Sequence, residues 1–421
     1  MHRRAFVATL AGATFPMVLA RSAFARTQAA TPAAAAGVRP VLQALLDSYV
    51  SAKKLAGAVV AVSTGGQPLT CVSAGRLAFD VDLPFDERSL CRVYSMTKPI
   101  TGIAAMMLIE AGKLRLDQPV GDILPELRTL RVAIDPARSL DSRPATQTMT
   151  MRHLLTHTAG LGYWTPVTAT DPISVAYRER GVTPGNYGAG LKRPGFGPQA
   201  VGLDDMVKRL GELPLEREPG TAWRYSIGLD VMGCVIERAS GKALDVFFRE
   251  RLFEPLKMTS SSFQVAAADA SRLTTNYAIR DTGLVPADRR ESSAWLKPPT
   301  LLAGGAGVVS TASDYARFSG MLLGDGELDG VRVLKADTAR LAKSNLLPPN
   351  VDYEDGGFGA GMRSASGKTE QPAGSVSWAG AAGTFWRADP ARRGTLILMT
   401  QHMPPTTYPI WSEVIAAAGR G

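Results

Sequence analysis

Cysteine and histidine are scarce in this chain of 421 residues, which has only Cys71, Cys91, Cys234 and four histidines. Three scattered thiols build neither a disulfide framework nor a zinc site. Of the histidines only His153 and His157 are spaced to share an ion, so no metal ligands and no cofactor are expected. The pattern G-x-S-x-G occurs nowhere, which excludes the nucleophile elbow. Basic residues outnumber acidic ones, 47 to 38, yet they gather only in short clusters such as Arg249 to Arg251 and Arg392-Arg393. Without a basic stripe interleaved with aromatics, the net charge of +9 reads as solvated surface and no nucleic-acid partner is expected. Past the first residues no apolar run is long enough to cross a bilayer, so no stable membrane insertion is expected. What is present is an ordinary globular composition, 45% hydrophobic and 20% charged, with ample apolar mass for a large core.

Residues 1–25 stand apart from the fold. Arg3 and Arg4 precede a mostly apolar run and then Ala23-Phe24-Ala25, an A-x-A cleavage pattern. The paired arginines resemble a twin-arginine export signal, which predicts delivery of the folded protein to a bacterial periplasm. Pro16 and Arg21 interrupt the run and argue against a retained anchor. Residues 26–37, rich in alanine, read as a flexible lead-in.

The spacing of Val41, Leu42, Leu45, Leu46 and Val50 predicts a helix over 40–53. Strands are predicted at 57–63 and 68–75, joined by the hairpin signal Thr64-Gly65-Gly66-Gln67. The chain end gives a matching set of strands at 375–379, 383–388 and 395–400, followed by a helix at 406–418. Between these ends, helical periodicity marks 97–110, 151–156, 203–210, 229–239, 244–252 and 313–323, with long loops at 133–147 and 165–198. The expected class is α+β. An antiparallel sheet built from both chain ends and flanked by helices (38–94 and 304–420) carries an inserted, mainly helical lobe, 95–303.

The sharpest chemical signal is Ser95-Met96-Thr97-Lys98, which leads into an apolar helix. If Ser95 begins that helix, Lys98 lies one turn along the same face and its amine reaches the serine hydroxyl. A hydroxyl becomes a useful nucleophile when a neighbouring base takes its proton, and the helix N-terminus favours a developing oxyanion. The pattern is short, and Ser51-Ala52-Lys53-Lys54 also matches it, but that copy sits at the polar end of a helix and reads as surface. Tyr225, after the turn at Pro219-Gly220, is a candidate third member to relay the proton, although taken alone most tyrosines are packing residues. Trp378-Ala379-Gly380-Ala381 offers small residues in a strand, where a ligand can approach closely and N–H groups can point at an oxyanion.

Together with residues 149–164, 218–241, 304–318 (GGAGVVSTASDYARF), 357–362 (GFGAGM) and 378–383 (WAGAAG), these motifs resemble the serine hydrolases of the class C β-lactamase and penicillin-binding-protein-like superfamily. Within it the chain is most similar to family VIII carboxylesterases. The resemblance implies a β-lactamase-like fold with the site between its two parts. Ser95 would form the acyl-enzyme, Lys98 and Tyr225 would share the general-base role, and the N–H groups of Ser95 and Ala381 would form the oxyanion hole. Trp378, Ala379, Gly380 and Trp164 would contact substrate, and His153 and His157 would be structural. Two departures favour a neutral, small or short-chain ester over a β-lactam. Trp378-Ala379-Gly380 stands where lactamases carry a K-T-G triad, and the literal Lys368-Thr369-Glu370 reads as a decoy. Tyr225-Ser226-Ile227 replaces Y-x-N. The same residues would also serve a β-lactamase, a D-aminopeptidase or an acyltransferase, and a non-catalytic cell-wall-associated binding protein would retain the fold without needing them.

Overall fold

The computed structural model describes residues 33–163, 170–183, 196–354, 356–368 and 371–419. The expected export signal and Trp164 lie outside the described residues, as do Thr369 and Glu370. Helix α1 (Ala33–Ser51) leads into the hairpin β1 (Gly57–Ser63) and β2 (Thr70–Gly75). It starts inside the segment read as a lead-in, because a run of alanines is the strongest helix former available. At the other end of the chain come β3 (Gly356–Phe358), β4 (Arg363–Ala365), β5 (Val376–Ala379), β6 (Phe385–Asp389) and β7 (Gly394–Met399). The seven strands form one antiparallel sheet in the order β3-β4-β5-β6-β7-β1-β2, so the two chain ends meet where β7 pairs with β1.

The register there is Val59 opposite Met399 and Ser63 opposite Thr395. Alternation within β1 then sends Val59 and Ala61 to one core and Ala58, Val60 and Val62 to the other. Both faces are therefore covered. Leu42 and Leu46 of α1, with Ile410 and Val414 of the last helix (Ile410–Ala418), fill one side. On the other side Trp386 packs under Tyr315 and Phe318 of the helix Ala312–Leu323, with ring centroids 5.6 and 5.9 Å apart.

The segment between the sheet halves holds α2 (Thr97–Glu110), α3 (Met151–Leu155) and α4 (Gly228–Ser240) among other helices. It also contains the strands Asn276–Arg280 and Gly283–Asp288, which pair with each other, and the first of them runs parallel to His402–Met403. The short strand Cys91–Arg92, just before Ser95, pairs with Val309–Ser310. Arg92 is fully buried there. Its Nε donates to Asp288 at 2.5 Å, its Nη1 to the Thr274 carbonyl at 2.7 Å, and its Nη2 to Ser293 Oγ at 2.9 Å. The backbone N–H of Arg92 donates to Gln401 Oε1 at 3.0 Å, so the approach to Ser95 is fastened to both the middle and the end of the chain. Arg92→Met takes the buried guanidinium from the Thr274 carbonyl, from Ser293 and from the half-buried Asp288, and is expected to lower unfolding free energy by about 3 kcal/mol. Urea denaturation checks this, and a loss no greater than that at an exposed pair such as Arg138 with Asp135 would contradict it.

Candidate active site

Val93 follows the strand Cys91–Arg92, and Tyr94 adopts a left-handed backbone (φ 42°) at the start of a single tight turn, Tyr94–Met96, which runs into α2. That strained residue re-aims the chain from strand to helix and leaves the half-buried Ser95 at the helix entrance. Lys98, one turn on, is fully buried. Its Nζ lies 3.3 Å from Ser95 Oγ, donates to the Gly305 carbonyl at 2.8 Å, and sits 4.6 Å from the Tyr225 ring centroid. The Tyr225 hydroxyl is 2.5 Å from Ser95 Oγ. Three residues spread over 131 positions of sequence thus share one hydroxyl.

The strand β5 brings up the second wall. Trp378 is half-buried, with its ring 6.0 Å from Tyr225 and 5.1 Å from Phe358. Phe358 in turn meets Trp223 at 5.8 Å, and Trp223 meets Tyr353 at 4.6 Å. The turn from β5 to β6 closes through Gly380 N–H, which donates to the Thr384 carbonyl at 2.8 Å. A Cβ at Gly380 would lie 2.3 Å from the Val93 carbonyl oxygen, so only glycine lets this turn rest on the backbone two residues before Ser95. Ala381, at the tip of that turn, follows directly. The GFGAGM segment also serves α2, since a Cβ at Gly361 would lie 2.4 Å from the Lys98 carbonyl oxygen.

Asp230 and Gly305 were not singled out from the sequence. Asp230 is fully buried near the start of α4, its Oδ1 accepts the Gly305 N–H at 2.8 Å, and its Oδ2 has no partner. Lys98 holds the carbonyl of the same glycine. Burial pushes the Asp230 carboxyl up from its ordinary 3.8 to about 6, while the Lys98 charge pulls it back. An acid among the apolar residues of the first half of α4 was the available signal; what it faces depended on a loop 75 residues away.

The raised carboxyl fixes the sign of a pH effect. Between about pH 4 and 6 the folded chain holds this proton more tightly than the unfolded one, so this contribution to stability is present at pH 4 and lost as pH rises through 6. Asp230→Asn removes it. Relative to the parent, the variant is expected to gain up to about 3 kcal/mol on going from pH 4 to pH 8. Paired melting curves at the two pH values measure the difference, and an unchanged offset would contradict it.

The two histidines do not converge on an ion. His153 Nδ1 accepts the Thr150 N–H at 3.2 Å in a cap of α3, whereas His157 Nδ1 accepts the Ser226 N–H at 3.1 Å. Among the described residues no group of His, Cys, Asp and Glu is arranged to hold a metal, and no helix is long and apolar enough to cross a membrane. Lys368 lies exposed in the loop after β4.

The β-lactamase family model matches residues 42–420. An uncharacterized protein of Mycobacterium tuberculosis is 34% identical over 86% of this chain and 90% of its own length. Esterase EstB of Burkholderia gladioli is 30% identical over 87% of this chain and 91% of its own. Among solved structures, EstCE1, described as a hydrolase with promiscuous acyltransferase activity, superposes with a TM-score of 0.74 at 24% identity, covering 92% of this chain and 99% of the other. The chain belongs to the β-lactamase family and is a serine hydrolase of its family VIII esterase-like branch.

Proposed function

We propose that the protein hydrolyses small or short-chain neutral carboxylic esters through an acyl-enzyme on Ser95. One observation carries the reading: Ser95 Oγ lies 2.5 Å from the Tyr225 hydroxyl and 3.3 Å from Lys98 Nζ. Ser95 Oγ attacks the ester carbonyl while Tyr225 and Lys98 take its proton. The N–H groups of Ser95 and Ala381 stabilise the oxyanion, helped by the positive end of α2. Collapse expels the alcohol, which leaves with the proton held by the same pair. Water then attacks the acyl-Ser95 ester, gives its proton to that pair, and releases the acid as Ser95 recovers its hydrogen.

Trp378, Ala379 and Gly380 give an apolar wall without a cation where a charged β-lactam would need one. EstB is an esterase by name, which agrees with that preference. Transfer of the acyl group to an alcohol in place of water is the second reading, favoured by the description of EstCE1. Residues 1–25 would direct the folded protein to the periplasm. A panel of p-nitrophenyl esters of increasing acyl length, with nitrocefin included, is expected to give the highest kcat/KM at short chains. Nitrocefin turnover more efficient than every ester would replace the esterase reading with a lactamase one.

A further inference from the structure

His157 is a buried titratable group packed against Tyr225 that this reaction leaves without a task. Its ring centroid lies 4.9 Å from the Tyr225 ring, and the residue is 1% exposed. The backbone of His157 is left-handed (φ 57°), a conformation that a residue with a Cβ keeps only when its surroundings fix it. In that conformation its carbonyl accepts the Arg224 N–H at 2.9 Å, and its Nδ1 accepts the Ser226 N–H at 3.1 Å. One residue thus holds the chain on both sides of Tyr225. The Ser226 hydroxyl, 3.0 Å from the same Nδ1, also accepts the Gly228 N–H at 3.2 Å and joins the clamp to the start of α4.

We propose that His157 is the positioning residue for Tyr225, fixing the peptide before and after it so that the phenol hydroxyl stays against Ser95. This rests on the catalytic reading of Ser95 and Tyr225 given above. To accept from Ser226, Nδ1 must be unprotonated, which puts the ring proton on Nε2. Nε2 is buried without a hydrogen-bond partner, and the imidazole is surrounded by the rings of Phe358, Trp223 and Trp378 at 5.4, 5.9 and 6.5 Å. A buried N–H left unpaired is a cost, and it is retained here where the opposite nitrogen has a geometric duty. A protonated ring would turn Nδ1 into a donor facing the Ser226 N–H and open the clamp. Burial, and then the nearby Lys98 charge, push the imidazole well below its ordinary value, so the accepting form persists.

A histidine that only filled space would lose stability and activity together on substitution. The positioning role separates them. His157→Asn keeps an acceptor near the Nδ1 position and tolerates left-handed backbone, but loses much of the ring. His157→Phe keeps the ring and loses the acceptor, and His157→Gln moves its amide one methylene too far. The measurements are the rate of Ser95 labelling by a fluorophosphonate, kcat and KM for p-nitrophenyl butyrate, and Tm.

His157→Phe and His157→Gln are expected to lower labelling rate and kcat about 100-fold with KM nearly unchanged. His157→Asn is expected to stay within about fivefold of the parent despite a lower Tm. Parental labelling in the Phe and Gln variants, or equal impairment in all three, overturns the assignment while leaving the esterase reading intact. If Tyr225→Phe labels at the parental rate, the catalytic reading itself fails. Should the Phe variant not fold, the contrast between Asn and Gln decides the matter alone.

Discussion

Ser95→Ala is expected to fold normally and to lose about 10⁵-fold in kcat/KM toward a short-chain p-nitrophenyl ester. The loss is large because the covalent route disappears outright. What would survive is the proposed oxyanion donors and substrate contacts, which in other serine hydrolases retain only a thousandfold or so over water. Stability is a separate matter. Ser95 is half-buried and its hydroxyl gives up two hydrogen bonds, with Tyr225 and from Lys98, while Lys98 keeps the Gly305 carbonyl, so the expected change in unfolding free energy is about 1 to 2 kcal/mol. Steady-state kinetics alongside urea denaturation check both halves. A variant that keeps even a tenth of the parental rate would place the nucleophile elsewhere.

Lys98→Met carries the second large effect, and it has two separable parts. Removing the amine takes away the group that shares the Ser95 proton with Tyr225 and is expected to lower kcat about 10³- to 10⁴-fold. It also removes the positive charge that offsets part of the burial of Asp230, whose Oδ2 has no other partner. The single variant should therefore melt lower than the parent at pH 8, where the stranded carboxylate must stay buried or take up a proton. Adding Asp230→Asn in the same chain should restore much of the melting temperature and none of the activity. Recovery of activity in the double variant would mean that Lys98 acts only as a counter-charge.

The parts of the fold that were legible in the sequence are those whose cause is local. The bounds of β1 and α2 fall where apolar continuity and a glycine turn place them, at Gly57–Ser63 and Thr97–Glu110. Ser95 and Lys98 were legible because a helix fixes the reach between positions three apart. Tyr225 was legible only through the set of motifs around it, since nothing in its own segment distinguishes a relay from a packing residue.

Other elements depend on partners far away in sequence. The strand Gly356–Phe358 at the sheet edge and its neighbour Arg363–Ala365 are three residues each, and pairing, not propensity, makes them strands. The helix Pro172–Glu179 lies within a stretch read as a loop, although Asp171 followed by Pro172 is a recognisable start and the Asp171 side chain does cap Ser174. The partners of Asp230 and His157 could not be read ahead. Both arise from loops that fold across the entrance of α4 and meet Lys98 and Tyr225 there.

Ester turnover through an acyl group on Ser95 leaves an intermediate that can be trapped. Mixing the enzyme with a slowly deacylating ester, quenching in acid during turnover, and mapping the peptides by mass spectrometry tests it directly. The acyl mass is expected on the peptide that contains Ser95 and is expected to be absent from the Ser95→Ala protein. Acyl mass on another residue, or ester turnover with no acylated peptide at any quench time, would contradict it.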